Sequence, residues 1–248
     1  MELQGRVALV TGGGTGMGRE ISRRLAARGA RVGISYSRSE SDAQAAASEL
    51  DARAFRADLR SLADIDALVA STTHELGGLD VLVNCVGLTR FIDFENLEGV
   101  TEEVWDAILD VNLKGAFFMS RAAGLWMRKT IDQRAGGGAI VNVASTAAFS
   151  TRGSSIPYNI AKAGVVQMTR TLAQALAPAV RVNCVAPGTV PTRWWDNGPP
   201  GALERATASS KFNRLTSAED VAEATLLLVE NDSLSGQTLA VDLASVMH

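Results

Sequence analysis

Within the first thirty residues a short apolar run, Arg6-Val-Ala-Leu-Val10, leads into a glycine-rich turn, Thr11-Gly-Gly-Gly-Thr-Gly-Met-Gly18, and then into an amphipathic segment from Arg19 to Arg28. The first run reads as a buried strand and the last as a helix, so the glycines sit at a strand-to-helix junction. Glycine lets the backbone approach a bound group closely, and a helix N-terminus offers unpaired N–H groups and a favourable dipole. Such a junction suits a phosphate or pyrophosphate. A Walker loop is excluded, because Gly18 is followed by Arg19 and Glu20 rather than by Lys and Ser or Thr. The G-x-G-x-x-G fingerprint finds no register either, since from Gly12 its last position falls on Met17. What remains is Thr-Gly-x-x-x-Gly-x-Gly.

Beyond this junction, strand-like and helix-like segments alternate to the end of the chain. Strands are predicted near 6–10, 31–36, 53–57, 80–84, 139–144, 180–185 and 238–241, with helices in the intervals. The pattern predicts one α/β domain over 1–248, a Rossmann fold whose single doubly wound parallel sheet of about seven strands carries helices on both faces. Right-handed crossovers would put the site at the carboxyl ends of the strands. Ala135-Gly-Gly-Gly138 reads as a turn before the fifth strand, and the segment 189–215 as a cover over the substrate.

Tyr158 and Lys162 suggest what happens there. Pro157 suits the first turn of a helix, and residues four apart share a helix face, so the Lys162 ammonium can lie beside the Tyr158 phenol. A nearby cation favours phenolate and makes tyrosine a usable acid and base. Ser145, at the end of the run Ala139 to Ala144, could steady a substrate oxygen. The constellation suits hydride transfer between a nicotinamide and a carbonyl or secondary alcohol. Taken alone, a Tyr/Lys pair is also what any helix face could carry.

The glycine spacing together with Ser145, Tyr158 and Lys162 resembles the short-chain dehydrogenase/reductase family over essentially the whole chain. That resemblance implies Asn112, in Val111-Asn-Leu-Lys-Gly115, as a fourth catalytic residue that shapes its helix and supports a proton relay to the lysine. It implies cofactor contacts from Gly12, Thr15, Gly16, Met17 and Gly18, and from Asp58 and Leu59 on the adenine side. Asn84 and Gly87, in Asn84-Cys-Val-Gly87, belong to the same set, as do Tyr158 and Lys162 on the nicotinamide ribose. Pro187, Gly188, Val190 and Thr192 would meet the carboxamide. The chain looks most like the 3-oxoacyl carrier-protein reductase branch, which also holds sugar, steroid and xenobiotic carbonyl reductases. A small-molecule carbonyl or alcohol substrate follows, an acyl thioester among the candidates, as does a homotetramer in which helices around 101–128 and 157–177 pair. The Gly-Gly usual after Asp242 is replaced by Leu243-Ala244.

Cofactor choice turns on the end of the second strand. An NAD site places a carboxylate there for the ribose hydroxyls, but this chain has Tyr36, followed by Ser37 and Arg38. The Arg38 guanidinium suits a 2′-phosphate, which favours NADP(H).

A net charge of −3 over 248 residues gives no basic footprint for nucleic acid. There is no uncharged apolar run long enough for a membrane span and no signal-peptide pattern at Met1 to Arg6, so a cytoplasmic protein is expected. Cys85 and Cys184 are the only cysteines and His74 and His248 the only histidines, a poor basis for a disulfide framework, a metal site or a Ser/His/Asp triad. Trp194 and Trp195 admit two readings, an apolar substrate wall or a subunit contact. Two rival functions stay open: a methyltransferase with a similar glycine turn, and a binding module that senses NADP(H) without turning it over.

Overall fold

In the computed structural model, which describes residues 1–130 and 137–246, seven parallel strands form one sheet in the order β3-β2-β1-β4-β5-β6-β7. They are β1 (Val7–Thr11), β2 (Arg31–Tyr36), β3 (Arg53–Arg56), β4 (Val81–Asn84), β5 (Gly138–Val143), β6 (Val180–Pro187) and β7 (Thr238–Val241). Every expected strand is present: β2 and β7 have the expected bounds, and the others are displaced by one or two residues at their ends. The order reverses at β1, which pairs with β2 on one side and β4 on the other (Ala8 opposite Val32 and Val81). A crevice therefore opens at the carboxyl ends of β1 and β4.

Helices cover both faces. On one lie α1 (Gly16–Ala27), α2 (Glu40–Leu50) and α8 (Ala218–Glu230); the other holds α3 (Leu62–Glu75), α5 (Ala116–Thr130) and α6 (Ile156–Leu176). Ile21 and Leu25 of α1 pack with Val221, Leu226 and Val229 of α8 against Ala8, Val10 and Val83. Arg24 pairs with Glu223, and Arg28 with Glu230, across the α1/α8 seam. Across the sheet, Leu68, Met119, Met127 and Leu176 pack on Leu9, Leu82 and Ile140. Because β1 and β4 are buried on both faces, each reads as a continuous apolar run up to its last residue rather than as an alternating one. Ser217 caps α8 reciprocally with Asp220, and Ser61 caps α3.

One expected element differs. The helix foreseen over 101–128 is α4 (Glu102–Leu109), a wider π-helical turn (Asp110–Gly115) and then α5. The physical reason is Asn112, whose side-chain amide inserts into the ladder by donating to the Ile108 carbonyl one turn back while also holding the loop after β4. The covering segment contains a 3₁₀ turn (Arg193–Asn197) and α7 (Ala202–Ser209). Of the expected turn 135–138, Ala135 and Gly136 lie outside the described residues, as does His248; Gly137 has a left-handed φ of +63° and Gly138 opens β5. His74 is exposed at the end of α3. No helix among the described residues is long and apolar enough to cross a membrane.

Candidate active site

The crevice is built on the glycine turn. Thr11 ends β1, and its hydroxyl accepts the N–H groups of Cys85 (3.0 Å) and Val86 (3.3 Å), which ties β1 to the loop after β4. Gly12 and Gly16 have φ of +68° and +51°, the left-handed region that favours glycine. A Cβ on Gly18 would stand 2.2 Å from the Gly12 carbonyl oxygen, and one on Gly14 2.8 Å from Ala43 Cα in α2. The first helical hydrogen bond runs from Arg19 N–H to the Thr15 carbonyl, so the N–H groups of Gly16, Met17 and Gly18 have no partner within the helix. Thr15 does not cap this end, and the first turn holds no acidic side chain. The result is an uncapped, glycine-lined cradle at the positive end of a helix, which fits the pyrophosphate of a dinucleotide.

On the adenosine side, Tyr36 closes β2 and is followed by exposed Ser37 and Arg38. Arg38 makes no ion pair among the described residues. Asp58, after β3, is held below the usual carboxylate range mainly by hydrogen bonds from Arg60, with a weaker pull from Arg38. Leu59 is buried, its carbonyl backed against Gly115 of the π turn. The Asn84 side chain turns away into a buried network, donating to Ser120 Oγ (2.8 Å) and Asn142 Oδ1 (2.8 Å). Asn142 in turn donates to Thr169 Oγ1 on α6. Through these amides the sheet fixes α5 and α6, the helices on either side of the site.

Ser145, Tyr158 and Lys162 come together beyond β5. Ser145 caps the 3₁₀ turn Thr146–Phe149, its hydroxyl accepting the Ala147 N–H at 3.2 Å. Tyr158 and Lys162 lie one turn apart near the start of α6, where Pro157 occupies the first turn as expected. Burial pushes the Tyr158 phenol up to about 12, while the Ser145 hydroxyl beside it pulls the other way. Lys162 does not offset this shift. Its ammonium donates to the Val143 carbonyl at 2.9 Å and lies 5.6 Å from the tyrosine ring centre. Burial brings Lys162 itself down to about 8. At neutral pH the phenol therefore carries its proton, the state a proton donor needs. Cys85 and Cys184 flank the lysine, and burial pushes both thiols up to about 11.

Asn112 holds the π turn. Its amide donates to the carbonyls of Leu88 (2.7 Å) and Ile108 (2.8 Å), and its oxygen accepts the Leu88 N–H (3.3 Å). It thereby fastens the loop after β4 to the widened helix. A Cβ on Gly87 would lie 3.3 Å from Asn112 Oδ1 and 3.3 Å from the Trp194 ring.

The loop after β6 closes the crevice. Pro187 ends the strand, and the Gly188 N–H donates to the Val241 carbonyl at 3.0 Å. The Val190 carbonyl accepts the Trp195 indole N–H at 3.2 Å, and Thr192 sits beside Gly16. The two tryptophans separate here: Trp195 packs on Phe91 (5.4 Å between ring centres), whereas Trp194 leans over Tyr158 (5.7 Å). Arg193 reaches Asp42 (2.6 Å) and Ser39 (2.7 Å). Sequence reasoning missed this Arg193 bridge and the Phe91 contact, since both join segments far apart in the chain. A neighbouring cavity of about 640 Å³ is lined by Ala148, Phe149, Ser150, Arg152, Ser245 and Val246. At its edge Leu243 and Ala244 hold φ of +55° and +56°, with the Asp242 carboxylate accepting the N–H groups of Ala244 (3.1 Å) and Val246 (2.9 Å).

The family model described as enoyl-(acyl carrier protein) reductase matches residues 12–243. A Streptomyces violaceoruber protein with the provisional name ketoacyl reductase 2 of the granaticin polyketide synthase is 42% identical over 239 residues, 95% of this chain and 94% of its own. The (2S)-[(R)-hydroxy(phenyl)methyl]succinyl-CoA dehydrogenase subunit BbsD of Thauera aromatica is 37% identical, with 97% and 96% covered. Among solved structures, 3-ketoacyl-(acyl-carrier-protein) reductase from Brucella melitensis, complexed with NADH, superposes with a TM-score of 0.91 at 32% identity, covering 99% of this chain and 100% of that one.

Proposed function

The chain belongs to the short-chain dehydrogenase/reductase family and is an oxidoreductase acting on CH–OH or C=O groups; we propose that it is an NADP(H)-dependent carbonyl reductase of small molecules, with 3-oxoacyl thioesters as the first substrates to test. The observation that carries this reading is the convergence of Ser145, a protonated Tyr158 and a buried Lys162 beside the glycine cradle. A nicotinamide cofactor held at the glycine cradle of Gly12 to Gly18 would supply hydride to the carbonyl carbon, or take it from the alcohol. Tyr158 gives its proton to the substrate oxygen, and Ser145 hydrogen-bonds that oxygen. Lys162, held by the Val143 carbonyl, would bind the cofactor ribose. Asn112 keeps the π turn open beside them, in position to support the proton relay.

Thioester substrates are supported by two relatives and one solved structure whose names refer to ketoacyl and CoA-thioester chemistry. A galactitol 2-dehydrogenase relative, 33% identical, keeps a sugar alcohol as the second reading. NADP(H) is supported by the absence of a carboxylate at Tyr36 and by the unpaired Arg38. Arg38→Ala is expected to raise the Michaelis constant for NADPH far more than that for NADH; equal small changes would sink the cofactor assignment. A homotetramer is supported by exposed Trp105, Phe117 and Leu125 on α4 and α5 and Ile160 on α6. Light scattering after size exclusion tests it, and a monomer refutes it. A cytoplasmic location is supported by two thiols that form no disulfide.

The deciding experiment follows absorbance at 340 nm with an acetoacetyl thioester, a diketone, a quinone and an aromatic ketone, for wild type and Tyr158→Phe. Turnover that disappears in the variant supports the mechanism. A variant that keeps more than a small fraction of the rate removes tyrosine from the role of proton donor. Tight NADPH binding without turnover of any substrate favours the sensing module.

A further inference from the structure

Three successive residues of the covering segment are each fastened to a different part of the crevice. Thr192 lies beside Gly16, Arg193 binds Ser39 and Asp42, and Trp194 rests between Gly87 and Tyr158. The contacts of Arg193 fall on the segment that leads from β2 into the first turn of α2, directly after Arg38, with Ser39 at the N-cap position and Asp42 inside the helix. That segment lies against the glycine turn, since Ala43 backs onto Gly14. It carries Arg38, Glu40 and Asp42 and is net negative by itself. A negative rim opposes a 2′-phosphate. Arg193 arrives from the far side of the crevice and pairs with Asp42, which leaves the rim neutral with Arg38 still unpaired.

We propose that Arg193 is a cofactor-specificity residue acting from the substrate-covering segment: by neutralising Asp42 at the ribose end of the crevice, it lets the site accept a 2′-phosphate when that segment is closed. The inference rests on the reading of Arg38 as the phosphate-binding cation. It makes cofactor choice and closure of the cover one linked event, because the residue that relieves the repulsion belongs to the cover. Asp42 is the group through which Arg193 acts, so removing Asp42 should remove the need for Arg193.

The test is fluorescence titration of NADPH and NADH on the full-length protein, with no substrate present. Wild type is compared with Arg193→Ala, Arg193→Lys, Asp42→Asn and the Arg193→Ala/Asp42→Asn double variant. Arg193→Ala is expected to weaken NADPH about tenfold, ~1.4 kcal/mol, and to leave NADH nearly unchanged. Arg193→Lys should keep most of the NADPH affinity, and the double variant should recover most of what Arg193→Ala loses. Equal weakening of both cofactors would make Arg193 a mechanical strap and overturn the proposal. So would an unchanged NADPH-to-NADH ratio, or a double variant as weak as Arg193→Ala. Thermal melts confirm that each variant is folded. The wild-type ratio separately tests Arg38: tighter NADH than NADPH in wild type refutes that reading, whereas the change of ratio on losing Arg193 tests this one.

Discussion

Replacing Lys162 by Met should stabilise the protein while destroying its activity. Lys162 is 4% exposed, and its ammonium gives up its proton near 8 rather than at 10.5. That difference corresponds to about 3 kcal/mol of extra cost for charging the lysine in the fold. Methionine keeps most of the apolar stem but cannot donate to the buried Val143 carbonyl, and losing that bond from a charged donor costs about 2 kcal/mol. The net expectation at pH 7 is a gain of about 1 kcal/mol. The sign of the pH dependence follows from proton counting. Between pH 8 and 10.5 the unfolded chain holds the lysine proton and the folded chain has released it, so wild-type stability gains from this group as pH rises through that window. Tyr158 and the two thiols act oppositely at the alkaline end, since the fold holds their protons more tightly; Tyr158 does so in both proteins, whereas the thiols, which Lys162 pulls down, do so somewhat more in the variant and close the gap further. The readout is therefore the difference between wild type and variant in urea unfolding at pH 7, 8, 9 and 10. The variant should lead at pH 7, and the gap should close as pH rises. A variant less stable at pH 7, or a gap constant with pH, would refute the reasoning.

Gly18→Ala should abolish cofactor binding and also lower stability, because its Cβ would meet the Gly12 carbonyl oxygen at 2.2 Å and neither group belongs to a flexible side chain; NADPH titration and a circular dichroism melt check the two halves of that statement, and an unchanged melt would show that the turn relaxes at no cost. Leu243→Gly and Ala244→Gly should each stabilise by about 1 kcal/mol, since both residues hold a left-handed φ that costs a non-glycine residue roughly that much. Denaturant midpoints measure this, and a loss of stability would show that side-chain packing outweighs the backbone term. Asn112→Ala should lower the reduction rate at least tenfold with a smaller effect on NADPH affinity, because it frees Leu88 and Ile108 from their shared donor beside Tyr158; an unchanged rate would remove Asn112 from the site.

The strands were legible because the inner ones are enclosed on both sides, which writes apolar runs such as Val7 to Val10 and Val81 to Val83. Their ends were less so: β6 runs on to Pro187 because its pairing with β7 continues there. The glycine turn was legible because its crowding and its left-handed positions leave no alternative residue. The split of 101–128 was hidden, since nothing local marks Asn112 as bound to a loop twenty-four residues earlier. The direction of the Asn84 side chain depends on Ser120 and Asn142 in the same way. Adjacent tryptophans look identical in sequence. What separates them is the Val190 carbonyl and the Phe91 ring, which hold Trp195 and leave Trp194 to the tyrosine.

The strand order has a consequence for how the molecule is made. Each strand after the first pairs with one that precedes it in the chain: β2 joins β1, β3 joins β2, β4 returns to the open side of β1, and β5, β6 and β7 extend from there. No strand must be threaded between two that are already paired. A polypeptide leaving the ribosome can thus lay down its sheet in the order of synthesis, growing first toward one border and then toward the other. The return to β1 closes the longest stretch of chain, with Ala8 waiting for Val81, but the joining of β5 to β4 and of β7 to β6 closes stretches nearly as long, so the step that completes the crevice carries about the same loop-closure cost as the later ones.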